Sequence, residues 1–188
     1  MIQQTHPRGI ERAIHIAEKT SLGVLKVFAL LFLIAILAIV LEVVARSSGY
    51  ATSFSVEYSG YVMASIISWA CSYALLQKGH IRIDFLYTKR SDLTKNLLDT
   101  LSVFLFFLVA AFLAWSAIGL TLESVEFDSV SNTTLRLPLW IPQGSWALGF
   151  LWLSVCAGLL TIRAAIALLK KDRPAMVRYV GTGEEAHF

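Results

Sequence analysis

The sequence predicts an all-α integral membrane protein of four transmembrane helices, and three observations predict it. The chain is 56% hydrophobic and only 15% charged, whereas soluble domains carry about 25% charged residues. Its mean hydropathy is +0.66. Its charges avoid four long segments, each long enough with its flanks to supply the roughly 20 apolar residues that a helix needs to cross the hydrocarbon core. Strands of a membrane barrel would instead show short alternating segments.

Before the first span, residues 1–21 carry a helical stripe of Ile10, Ala13, Ile14 and Ala17. Glu11, Arg12, His15, Glu18 and Lys19 occupy the opposite face. The pattern predicts a short N-terminal amphipathic helix lying in the inner interface, and a solvated extension of span one fits it equally.

Span one is expected over 22–45, built on the uncharged run of fifteen from Val27 to Leu41. That run and its apolar flanks exceed the h-region of a signal peptide, about 7–15 residues, so an uncleaved span is expected. Glu42 and Arg46 close it at i,i+4 with the acid first, the favourable order for a helical pair. Near a span end such a pair reads as interfacial and snorkelling rather than ion-binding.

Span two, 57–77, is uncharged over the twenty residues from Tyr58 to Gln77. The loop after it alternates apolar Ile81, Ile83 and Phe85 with His80, Arg82 and Asp84, which suits an extended segment against the membrane. Ser91 is the expected N-cap, with Asp92 in the first turn, of the helix entering span three. Span three, 98–122, holds an uncharged run of twenty-three from Thr100 to Leu122.

The following loop leads through Leu137-Pro138-Leu139-Trp140-Ile141-Pro142 into span four, 142–166. Pro142 suits a helix start, where the missing N–H is an orphan anyway. Trp140 and Trp146 fit an aromatic belt. Together the spans make a membrane domain over 22–170, and 171–188 reads as a cytoplasmic tail.

Charge sets the topology. Arg8, Arg12 and Lys19 precede span one; Lys78, Arg82, Lys89, Arg90 and Lys95 lie between spans two and three; Arg163, Lys170, Lys171, Arg173 and Arg178 follow span four. The other two loops hold Arg46 and Arg136 alone among the bases. Positive loops stay inside, so both termini are expected in the cytoplasm.

The sequence pI of about 9.0 therefore points to anionic lipid rather than nucleic acid. No Gly-rich phosphate loop follows a strand-like run. Cys71 and Cys156 fall inside spans, where cysteine is usually a small apolar residue. All four histidines lie outside the spans, which leaves no axial ligands for a membrane haem. No catalytic residue, cofactor or metal site is expected. No span carries a charge at its centre, and the glycines 119, 149 and 158 are isolated, as small residues that let helices pack closely. The chain reads as a partner of a transporter rather than a transporter by itself.

Several motifs carry a family resemblance. Gly79-His80-Ile81-Arg82-Ile83-Asp84 resembles the G-H-[IV]-R-[IV]-D signature of the small membrane subunit (DctQ type) of tripartite ATP-independent periplasmic (TRAP) transporters. Leu137-Pro138-Leu139-Trp140-Ile141-Pro142 is similar to its [LI]-P-x-W-x-P element, and Glu57 with Tyr61 resembles its E-x-x-x-Y. The likeness covers roughly residues 20 to 170. One departure stands out: where members often carry two adjacent acids after a Trp, this chain has Phe54 and then Val56-Glu57.

The resemblance implies a bacterial inner-membrane subunit that braces a large sodium-coupled elevator subunit. It implies help in docking an extracytoplasmic solute receptor during organic acid uptake. Glu57, Tyr61, Pro138, Trp140 and Pro142 are then candidate partner contacts, and Gly79, His80, Arg82 and Asp84 a cytoplasmic loop motif. The expected partners are the large subunit, the receptor and membrane lipid. A stand-alone small transporter using Glu42, or an accessory or sensor subunit of another membrane complex, are the alternatives.

Overall fold

The computed structural model describes residues 9–49, 55–79, 91–133 and 136–180. Five helices follow in order: α1 (Gly9–Ser47), α2 (Ser55–Leu76), α3 (Asp92–Glu126), α4 (Trp140–Leu169) and α5 (Arg173–Tyr179). The first four are long and apolar enough to cross a membrane. No strand occurs among the described residues, where one isolated antiparallel bridge joins Val130 to Pro138.

The N-terminal amphipathic segment is not a separate helix. It continues into span one as a single helix of 39 residues, about 58 Å long at the α-helical rise. Its apolar stripe is covered by protein. Ile14 and Ala17 are buried in a cluster with Leu160, Ala164 and Ala167 of α4 and with Met176 and Val180 at the chain's far end. The segment expected as a tail from 171 also holds structure, since α5 folds back onto the bundle through Met176 and Val180.

Helix ends follow local chemistry. Ser91 caps α3 as expected, its Oγ accepting from the Thr94 amide at 3.5 Å. Asp172 caps α5, accepting from the Ala175 amide at 3.2 Å. The C-terminus of α2 closes with Gly79 N–H donating to Ala74 O at 2.7 Å and Lys78 N–H to Leu75 O at 3.1 Å. Lys78 takes φ 56° there. This is a Schellman closure, and glycine is its usual left-handed residue. The same pattern ends α3 at Asp128 (φ 44°) and α4 at Lys171 (φ 54°).

The spans pack in an open row, α1–α2–α4–α3, with α4 touching every other helix. Its buried residues are mostly small: Ala147, Gly149, Cys156, Ala157, Ala164 and Ala167. Facing them on α3 are Ala110, Ala114 and Ala117 at helical spacing. Small residues bring backbones close, which in lipid replaces the missing hydrophobic drive between helices.

The tightest approach is α2 on α4. A Cβ on Gly149 would lie 2.3 Å from Ser68 Oγ and 2.8 Å from Ser68 Cβ. Trp69 Nε1–H donates to Ser145 O at 3.2 Å in the same interface. Farther along, Trp152 Nε1–H donates to Ser21 Oγ at 2.9 Å, tying α4 to α1.

Gly149→Ala should therefore destabilise the protein by about 1–3 kcal/mol, the usual cost of overpacking. Gly144→Ala should be near neutral, since its Cβ would meet nothing closer than Thr121 Cγ2 at 4.0 Å. Unfolding in mild detergent, followed by circular dichroism, checks both.

Candidate functional site

Polar side chains gather at the two ends of the row. At one end, α2 begins beside the loop between α3 and α4. Tyr61 Oη donates to Glu57 Oε1 at 2.7 Å. Thr133 Oγ1 donates to Glu57 Oε2 from that loop. Ser131 and Thr133 also bond each other at 2.8 Å.

The loop is held in shape by its own backbone. Ser131 N–H donates to Leu137 O and Leu139 N–H to Ser129 O, both at 2.9 Å, around the Val130–Pro138 bridge. Pro138 therefore anchors the loop, Trp140 opens α4 with its ring half exposed, and Pro142 is buried in the first turn. The structure thus brings Glu57, Tyr61 and Pro138 into one assembly through Ser131 and Thr133. Those two hydroxyls escaped the sequence reading. They lie more than 70 positions from Glu57, and no local pattern marks them.

Glu42 and Arg46 pair at 3.0 Å near the end of α1. The pair is asymmetric: the Glu42 side chain is 4% exposed and that of Arg46 58%. The acid is buried while the guanidinium is largely exposed.

At the opposite end, α1, α2, α4 and α5 meet. Arg163 donates to Glu11 Oε1 at 3.0 Å across 152 positions of sequence, and its guanidinium lies 5.1 Å from the centroid of the Tyr179 ring. Gln77 donates to Glu18, and Lys78 Nζ donates to Val177 O at 2.7 Å. None of these links was expected from sequence, because each joins elements far apart in the chain. Gly79 closes α2 at this end; His80, Arg82 and Asp84 of the loop motif lie outside the described residues.

Between the ends several hydroxyls turn onto their own helices. Ser65 donates to Tyr61 O, Ser68 to Ser65 O, Ser72 to Trp69 O, and Thr161 to Ala157 O. Such back-bonding satisfies the hydroxyl locally. Among the described residues no three His, Cys, Asp or Glu side chains form a group able to hold a metal ion.

Glu57→Ala should free the loop hydroxyls and loosen the hairpin. Hydrogen exchange of the 128–139 peptide should speed up in the variant, with Glu57→Asp intermediate, while the α4 core peptides keep wild-type protection.

Comparison with known proteins adds the family. The family model for the DctQ component of tripartite ATP-independent periplasmic transporters matches residues 35–173, well over half of the 188-residue chain. No curated protein and no solved structure matches the chain. The matched region runs from the last third of α1 to the first residue of α5 and so takes in α2, α3 and α4 whole. The chain belongs to the DctQ family, the small membrane subunit of TRAP transporters.

Proposed function

We propose that this chain is the fixed brace of a sodium-coupled elevator transporter for organic acids in the bacterial inner membrane. In this reading it holds the large subunit in the bilayer and helps an extracytoplasmic solute receptor to dock. Both termini and the loop between α2 and α3 face the cytoplasm, as the distribution of Lys and Arg requires.

The observation that carries the reading is a set of continuous spans whose hydroxyls are bonded within their own helices. The hydroxyls along the spans bond their own backbone. The charged pairs Glu42–Arg46 and Glu11–Arg163 stand at opposite ends. Ion-coupled transport calls for polar groups or broken helices at the membrane midplane. The four spans here run as continuous helices, which suits a rigid support. Glu42, the acid that a stand-alone transporter would use, is already bonded to Arg46 at 3.0 Å.

The docking role falls to the Glu57 end. Its carboxylate fixes the α3–α4 loop through Thr133, and the exposed Trp140 stands beside that loop. This arrangement offers a preformed outer surface. The loop motif Gly79, His80, Arg82 and Asp84 is assigned to the cytoplasmic side as an anchor against lipid or the large subunit.

A tagged chain extracted in mild detergent should carry with it a second, larger protein of many spans. A chain that emerges alone, and moves organic acid when reconstituted alone in liposomes, would sink the brace. Sidedness is checked separately by adding single cysteines. Gly49→Cys should react with a membrane-impermeant maleimide on spheroplasts, and Lys170→Cys only after lysis.

A further inference from the structure

At the end of the bundle where α1 and α5 meet, a cavity of about 560 Å³ opens between α1, α2, α4 and α5. That is the size of a small-ligand site. Its floor is apolar, formed by Ile14, Leu76 and Leu160. Two guanidiniums, Arg12 and Arg178, and two carboxylates, Glu11 and Glu18, stand around it.

The charges balance in number but not in bonding. Glu11 accepts from Arg163 at 3.0 Å. Glu18 accepts from Gln77 and lies 3.8 Å from His15. Among the described residues no carboxylate pairs with Arg12 or Arg178. The Arg178 guanidinium rests 5.5 Å from the Tyr179 ring centroid, a contact that leaves its N–H donors open. Behind the wall, Arg163 is 8% exposed and its Nε has no acceptor. The cavity therefore has bonded acids, exposed guanidiniums with no carboxylate partner, and apolar residues in its lining.

An amphiphile with an anionic head fits that combination. A guanidinium fork matches the paired oxygens of a phosphate, which makes arginine the better clamp for this group than a point-charge lysine. The apolar floor then takes the start of the acyl chains. We propose that this cavity binds the headgroup of an anionic phospholipid, with Arg12 and Arg178 gripping its phosphodiester. The source is the inner leaflet, where anionic lipid collects against basic pockets between spans; this placement rests on the topology given under the proposed function.

The test titrates phosphatidylglycerol into the full-length chain in detergent, with its large-subunit partner where that co-purifies, and reads bound lipid by native mass spectrometry. The wild type should retain phosphatidylglycerol in preference to phosphatidylcholine. Arg12→Gln with Arg178→Gln should weaken that binding by roughly tenfold or more, the scale of losing charge-assisted hydrogen bonds. Arg12→Lys with Arg178→Lys should fall between the two. Lys170→Gln with Lys171→Gln removes the same charge outside the cavity and should leave binding unchanged.

Equal binding by the Gln pair and the wild type would overturn the site. So would an equal loss in the Lys170 and Lys171 variant, or occupancy by inorganic phosphate as tight as by the lipid. Circular dichroism on the same samples confirms that the variants are folded. Lipid loss with the large subunit still attached supports the cavity and leaves the brace standing, whereas loss of the large subunit with lipid retained in the wild type counts against the brace alone.

Discussion

The fold depends on how closely α4 is approached by its neighbours. In lipid there is no hydrophobic gain from pressing two apolar helices together, so association rests on van der Waals contact and interhelical hydrogen bonds. α4 answers with a row of small buried residues, and Gly149 lets the backbone reach Ser68 of α2 within a distance that no side chain would allow. α3 docks on the same helix through Ala110, Ala114 and Ala117. With α4 in the middle, α1 and α3 become the outer members of an open row, and most of their apolar surface stays outward.

An open row has consequences for function. A row leaves its outer helices with wide lateral faces. The faces of α1 and α3 carry large exposed side chains such as Leu41, Phe112 and Trp115, the surface that lipid or another membrane protein covers. Membership of the DctQ family supplies the context in which such a surface makes sense, because the family is one component of a tripartite assembly.

Polar groups tie this row together at its ends. At one end Glu57 ties α2 to the α3–α4 loop; at the other Arg163 ties α4 to α1 and meets Tyr179 of α5. Glu57 lies in the first turn of α2 and Arg163 within the last two turns of α4. Many of the buried polar side chains are hydroxyls, Asn96 and Asp99 of α3 are buried as well, and two indoles, Trp69 and Trp152, donate to oxygens on neighbouring helices. Arg12 and Arg178, which no carboxylate pairs among the described residues, stand beside one cavity, where the lipid headgroup is proposed.

The spans were legible in the sequence because transfer free energy sums over a local window, and a run such as Thr100 to Leu122 needs no partner to declare itself. Local pairs were legible for the same reason: the Ser91 cap and the i,i+4 contact of Glu42 with Arg46 depend on helix geometry alone. The left-handed closures of α2, α3 and α4 were not marked, because Lys78, Asp128 and Lys171 occupy positions where glycine is the recognisable signal. The seven residues of α5 were hidden too, being too few to show a period before Met176 and Val180 find their burial. The continuity of α1 through the amphipathic stripe, the row order, and the links from Glu57 to Thr133 and from Glu11 to Arg163 were decided by the tertiary structure. They join side chains that only packing brings within bonding distance, and no local sum of propensity or hydropathy contains that information.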